Sequence, residues 1–131
     1  MARVTPKEME AVLKLDGPSR HEHFVKRVVD SEEAWGLWDD GWALMEDDAG
    51  QPAFPLWPAR AYADLCATDR WSTYTPRRIP LDSLLTELLP ALAQKSTPAA
   101  IFPTPAGKSV TCASEEVEAV LRSEMKRYQI S

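Results

Sequence analysis

The 131-residue sequence has only two cysteines, Cys66 and Cys112. Cysteine is the residue that forms disulfides in small proteins and often binds metals. The two cysteines lie far apart and form no CxxC pair, so the spacing indicates neither a zinc ribbon nor a disulfide framework. No run approaches the roughly 18 apolar residues that would span a membrane, and the first residues lack the apolar core of a signal peptide. We therefore expect a soluble, cytoplasmic protein with reduced thiols and no membrane association.

Basic residues are missing from one long stretch of the chain, between Arg27 and Arg60. The net charge is −5, so the chain lacks the basic face that phosphate contacts require, and we expect no nucleic-acid partner. The same stretch carries a concentration of acids, which predicts an electrically lopsided molecule. These eight acids are Asp30, Glu32, Glu33, Asp39, Asp40, Glu46, Asp47 and Asp48.

The usual catalytic and cofactor-binding signatures are also missing: there is no G-x-S-x-G elbow, Walker loop or dinucleotide fingerprint. His21 and His23, the two histidines, are two residues apart, so on a helix their rings point about 200° apart and share no ion. The acidic loops lack EF-hand spacing, and aspartate is a common turn residue. We predict no catalytic residues, no metal site and no cofactor, which favours a protein that is not an enzyme.

The composition that is present is that of a globular protein, with 44% hydrophobic and 27% charged residues. A chain of this length can bury roughly two-thirds of the surface that its unfolded form exposes. We find no repeat of fixed period and no long linker, so residues 1–131 are predicted to form a single domain.

Helical and strand patterns alternate along the chain, which predicts an α+β fold. An N-terminal helical hairpin is expected first, with one helix from Thr5 to about Asp16 and a second from about Ser19 to Asp30. Further helices follow, and Arg77–Ile79 is predicted to form a brief strand. A C-terminal β-hairpin of residues 99–102 and 109–112 then precedes a last helix, and it joins one mixed sheet.

An antiparallel three-stranded meander is predicted from residues 35–38, 42–45 and 51–56. A three-residue loop at Asp39–Gly41 would place Trp38 opposite Trp42, whereas a two-residue turn would pair Trp38 with Ala43. Spacing leaves both registers open. Proline cannot donate to a ladder, so Pro52 and Pro55 predict a third strand that is short, irregular or at an edge.

All five tryptophans fall within residues 35–71. Indoles can fill a core, but indoles beside an acidic rim can also form a contact surface for a cationic group. The favoured hypothesis is a non-catalytic binding or interaction protein whose partner is a basic protein. The residues predicted to form that surface are Trp38, Trp42, Asp39, Asp40, Asp47, Asp48 and Trp57.

A second hypothesis is a small enzyme or small-molecule sensor with a pocket beyond the meander. Two adjacent arginines in a cleft would bind carboxylate or phosphate, although the same arginines can simply pair with surface acids. The residues of this alternative pocket are Trp57, Tyr62, Trp71, Tyr74, Arg77 and Arg78.

Four segments together resemble a known family. They are residues 12–15, residues 35–43, residues 55–58 with Tyr62 and Ala63, and residues 102–108. The sequence resembles the domain-of-unknown-function family 2750 over nearly its whole length. This resemblance implies a stand-alone small bacterial protein and brings no activity or catalytic residues. A weaker similarity of architecture, a strand ending in Pro-Leu-aromatic followed by a helix and a strand, links it to the SseB N-terminal domain and favours a binding module.

Overall fold

The computed structural model describes residues 4–46, 49–105 and 109–129, apart from the side chains of residues 70, 128 and 129. The fold is α+β, as predicted. The helices are α1 (Pro6–Leu13), α2 (Gly17–Ser31), α3 (Arg60–Leu65), α4 (Leu81–Ser83), α5 (Leu89–Gln94) and α6 (Ser114–Gln129). The strands are β1 (Glu33–Trp38), β2 (Met45–Glu46), β3 (Pro52–Leu56), β4 (Thr75–Pro80), β5 (Ala99–Ile101) and β6 (Val110–Cys112).

The predicted N-terminal helical hairpin is confirmed, with each helix capped by a side chain. Thr5 Oγ1 accepts the Glu8 N–H at 3.1 Å to begin α1, and Asp16 Oδ1 accepts the Ser19 N–H at 2.8 Å to begin α2. Asp16 therefore starts the second helix, whereas the sequence had placed it at the end of the first. The reason is that its carboxylate satisfies an orphan N–H of α2.

The strands form two sheets, where the sequence predicted one. β1 pairs antiparallel with β4, and the second sheet has the order β2-β3-β5-β6. The C-terminal hairpin of β5 and β6 joins β3 in a mixed sheet, as predicted, because β3 and β5 run parallel while β5 and β6 run antiparallel.

The predicted meander is wrong in one respect: β1 makes no ladder with β2. Its six residues pair instead with β4, and only the bridge from Trp38 to Trp42 links it to the next segment. That bridge settles the register of the turn, because Trp38 lies opposite Trp42 across the three-residue loop. Asp40 takes the left-handed conformation there, with φ of 57°.

One edge of β3 is shared by two partners. Met45 of β2 pairs with Ala53 near its start, and Trp35 of β1 exchanges two backbone hydrogen bonds with Trp57, at 2.9 and 2.8 Å, just beyond its end. Pro55 lies between these two pairings on the same edge, since alternate residues face alternate edges. A proline is tolerated inside this interior strand because no N–H is needed in the gap.

The leucine-rich segment after β4 is helical, with a π-helical turn at Leu84–Leu88 between α4 and α5. The Leu89 N–H donates to the Leu84 carbonyl, five residues back. Pro90 explains this wide turn, because it has no N–H and its ring would clash with the carbonyl four residues before it.

Candidate functional site

The five tryptophans divide into two environments. Trp57 is fully buried and Trp71 nearly so, whereas Trp35, Trp38 and Trp42 are half-buried. Trp38 and Trp42, the two indoles of the predicted surface, are therefore accessible in the free protein. Trp57 is not accessible, and it does not belong to that surface.

Trp38 and Trp42 contact each other edge to face across the three-residue loop, with ring centroids 5.0 Å apart and planes at 84°. This T-shaped arrangement is a favoured geometry for aromatic pairs. Trp42 also packs against Phe54 of β3, with ring centroids 5.6 Å apart. One side of the indole pair is thereby anchored to the core while the other faces solvent.

Gly36 makes room for the Trp42 ring. A Cβ at Gly36 would lie 3.0 Å from Cε3 of Trp42 and 2.8 Å from Cζ3, and the second distance is shorter than Cβ contacts in proteins. The indole therefore lies directly on the backbone of β1. Glycine is needed at this position for that close approach, and not for a special backbone angle.

Arg77 of β4 completes the arrangement. Its Cζ lies 4.1 Å from the Trp38 ring centroid and 5.7 Å from that of Trp42. Arg77 lies opposite Gly36 in the β1–β4 ladder, two pairs away from the Trp38–Thr75 pair and on the same face of the ladder as Trp38. We call Trp38 and Trp42 the indole cluster. The guanidinium of Arg77 makes cation–π contact with both of its rings.

The neighbouring Arg78 has a different role, because successive strand residues point to opposite faces. Arg78 pairs with Glu33, whose carboxylate also accepts the indole N–H of Trp35 at 3.0 Å. Among the residues that the structure describes, Arg77 forms no ion pair. The two arginines therefore do not line one cleft.

The acidic rim is present in part. Asp39 and Asp40 are exposed in the turn between the two indoles, and Asp39 accepts a hydrogen bond from the Thr73 hydroxyl at 2.7 Å. Asp47 and Asp48, predicted to extend this rim, lie outside the described residues. Leu44, two residues beyond Trp42, is 51% exposed and adds apolar surface that the sequence analysis had not singled out.

The alternative pocket is dispersed. Tyr62 and Trp71 are buried, Tyr74 is half-buried, and the two arginines of β4 lie on opposite faces. The surface grooves of the described residues include one of about 810 Å³ between α2 and α6 and one of about 430 Å³ at the start of α6. Neither groove is lined by a residue of the predicted pocket.

Trp57 belongs to a second aromatic group, at the turn that follows β5. Its indole N–H donates to the Pro103 carbonyl at 2.9 Å, and the Cys66 thiol donates to the same oxygen at 3.4 Å. Tyr62 contacts Phe102 at 4.7 Å between ring centroids. We call Trp57, Tyr62, Cys66, Phe102 and Pro103 the buried junction. Burial raises the pKa of Tyr62 to about 12 and that of Cys66 to about 11, so neither supplies a nucleophile at neutral pH.

Arg20 fastens the N-terminal hairpin to the buried junction, a role that the sequence analysis missed. It is 3% exposed, and its guanidinium donates to the Phe102 carbonyl at 3.2 Å and the Leu15 carbonyl at 2.9 Å. Burial lowers the pKa of this side chain, while Asp16 nearby raises it. A charged residue on a helix gives no sequence signal that it will be buried, because arginine is usually exposed.

His23 also lies against the buried junction. Its ring meets Tyr62 edge to face at 6.5 Å and Phe102 at 6.2 Å. Within the described part of the chain, His23 Nε2 and Tyr62 Oη are buried without a hydrogen-bond partner. Burial lowers the pKa of His23, Glu8 raises it and Arg27 lowers it further.

No metal centre is evident in the described ranges, since no three His, Cys, Asp or Glu side chains there converge on one point. Both cysteines are free thiols. A search of the helices in the same ranges finds none that is both long and apolar enough to cross a membrane.

Comparison with protein families gives one match. Residues 21–121 match the family described as a protein of unknown function, DUF2750. The chain belongs to the DUF2750 family. No curated protein and no solved structure matches it, and the similarity to the SseB N-terminal domain is not shown.

The segments that carry the DUF2750 resemblance contribute to both groups of side chains. Residues 35–43 provide both rings of the indole cluster, whereas residues 55–58 and 102–108 contribute Trp57, Phe102 and Pro103 to the buried junction. The family motifs thus include one accessible group and one internal group. The accessible group is the candidate functional site.

Proposed function

We propose that this DUF2750 protein is a non-catalytic interaction protein that uses the indole cluster to bind basic side chains of a partner protein. The observation that carries the proposal is the guanidinium of Arg77, held 4.1 Å from the Trp38 ring. The two indoles have the geometry and the accessibility to accept a planar cation. Cation–π contacts of this kind contribute about 0.5–1 kcal/mol at an exposed site.

Charge around the indole cluster supports a basic partner. Asp39 and Asp40 are exposed beside the two indoles, and the chain as a whole has a net charge of −5. Such a rim attracts a cationic segment at a distance and orients it on the aromatic surface. The proposed location is the cytoplasm, a reducing compartment in which thiols such as Cys66 and Cys112 remain free.

The test is an NMR titration of ¹⁵N-labelled protein with a capped peptide of alternating glycine and arginine. We expect the indole N–H signals of Trp38 and Trp42 to shift, while those of Trp57 and Trp71 serve as internal references because these rings are buried. Replacing Trp38 with alanine is expected to abolish the shift at Trp42. Raising the salt concentration should weaken binding, since the Debye length falls from about 8 Å at 0.15 M to about 3 Å at 1 M.

Asp40→Asn tests the acidic rim, and Asp30→Asn is the matched control because Asp30 is an exposed acid on α2. Both variants remove one negative charge. Weaker binding in Asp40→Asn alone supports a localised site. Equal weakening in both, or binding that survives Trp38→Ala, contradicts the proposal.

A further inference from the structure

We infer that Arg77 is an internal occupant of the indole cluster, and that the partner's binding residue is an arginine that takes its place. This inference rests on the proposed function and specifies both the ligand and its competitor. Its starting point is the contrast between the adjacent arginines of β4. Arg78 is held by Glu33, whereas Arg77 is exposed and its described contacts are with Trp38 and Trp42.

The register of the β1–β4 ladder explains why Arg77 reaches this position. Gly36 lies opposite Arg77 and has no side chain, so the space above it is filled by the Trp42 ring. The arginine side chain therefore extends along the face toward Trp38. A long, flexible side chain that is exposed and anchored at a single aromatic surface can leave it without disturbing the ladder below.

The ligand class follows from the shape of the contact. Arginine presents a planar, weakly hydrated guanidinium that stacks on aromatic faces, whereas lysine presents a compact and strongly hydrated ammonium. Arg77 occupies the cluster through its guanidinium carbon, 4.1 Å from one ring and 5.7 Å from the other. Asp39 and Asp40 are exposed in the neighbouring turn, and their negative charge favours the approach of a cationic partner side chain.

Occupation by Arg77 has a measurable consequence. A partner arginine must displace the Arg77 side chain. The wild-type protein therefore binds the partner more weakly than the unoccupied indoles would. Removing one exposed cation–π contact corresponds to a change of about two- to fivefold in affinity. Arg77→Gln is therefore expected to bind the arginine peptide about two- to fivefold more tightly than the wild type.

The matched control is Arg78→Gln, which makes the same change in net charge at the adjacent residue on the opposite face. Its affinity for the peptide should stay close to that of the wild type. The same titration with a lysine peptide of equal length should show weaker binding to every form of the protein. Unchanged indole signals of Trp57 and Trp71 would confirm that both variants are folded.

The possible results separate the inference from the proposed function. Tighter binding in Arg77→Gln but not in Arg78→Gln supports displacement. Unchanged or weaker binding in Arg77→Gln, with wild-type binding that still requires Trp38, overturns displacement and leaves the proposed function standing. Equal tightening in both variants reduces the effect to net charge and also overturns displacement. Absence of peptide binding in the wild type and in Arg77→Gln contradicts both proposals.

Discussion

The indole cluster and the buried junction are both rich in aromatic side chains, but they differ in how far those side chains are exposed. In the buried junction, Trp57 has no exposed surface and its indole N–H is hydrogen-bonded to Pro103. In the indole cluster, Trp38 and Trp42 are half-buried and the exposed guanidinium of Arg77 lies against both rings. The comparison indicates that the first group stabilises the fold and that the second is available for contact.

The largest expected effect separates these two groups through stability. Trp57→Ala removes a buried indole and leaves a cavity, which typically costs about 3–5 kcal/mol. Trp38→Ala removes a partly exposed ring and is expected to cost about 1 kcal/mol or less. Urea unfolding of both variants measures the difference in the free energy of unfolding. Comparable losses in the two variants would remove the distinction between core and contact surface.

A smaller effect is expected where the indole cluster meets the backbone. Gly36→Ala places a Cβ 2.8 Å from the Trp42 ring, so the ring must move outward. Forcing extra atoms into a packed site typically costs about 1–3 kcal/mol. We expect a lower melting temperature and a changed indole signal for Trp42, with the Trp57 signal unchanged. A variant with native stability and an unshifted Trp42 signal would contradict the packing of the Trp42 ring on the backbone at Gly36.

The pH dependence of the free energy of unfolding tests the buried junction through His23. Because burial lowers the pKa of His23 below its usual 6.5, the unfolded chain binds more protons than the folded one. Stability is therefore full above about pH 6.5 and is lost as the pH falls from there toward the folded pKa. His23→Phe should lose less stability than the wild type between pH 7 and pH 5.

His21→Asn is the control for this measurement, because burial also lowers the pKa of His21 but the side chain lies on the α2–α6 groove. We expect His23→Phe to change the acid response of the buried junction, read from the Trp57 indole signal, and His21→Asn to leave that signal alone. The same pH response of Trp57 in both variants would contradict this assignment.

The smallest effect concerns the two thiols. Cys66 is buried and its pKa is raised to about 11, whereas Cys112 is half-buried with a pKa that burial also raises. In the native protein at pH 8, a thiol reagent should modify Cys112 before Cys66. The unfolded protein prepared without reductant should show two free thiols. Finding none would contradict the proposed reducing compartment.

The sequence predicted much of the fold because its signals are local. Thr5 and the proline after it mark a helix start, and the spacing around Gly41 correctly allowed a register with Trp38 opposite Trp42. The pairing of β1 with β4 was missed, because partners distant in sequence leave no periodic signal. The sequence had therefore assigned Arg77 to a different pocket from Trp38, although the ladder brings the two together.

The parallel pairing of β3 with β5 has a consequence for how the chain folds. Between them, residues 57–98 include β4, which pairs with β1 in the other sheet, before β5 pairs with β3. Contacts between such distant segments slow folding, since a long loop must close before they form. During synthesis, the native acceptor of the Trp57 indole N–H is missing until residue 103 has emerged. A chain that stops at residue 98 lacks both the β3–β5 pairing and this acceptor, and it is therefore expected to remain unfolded.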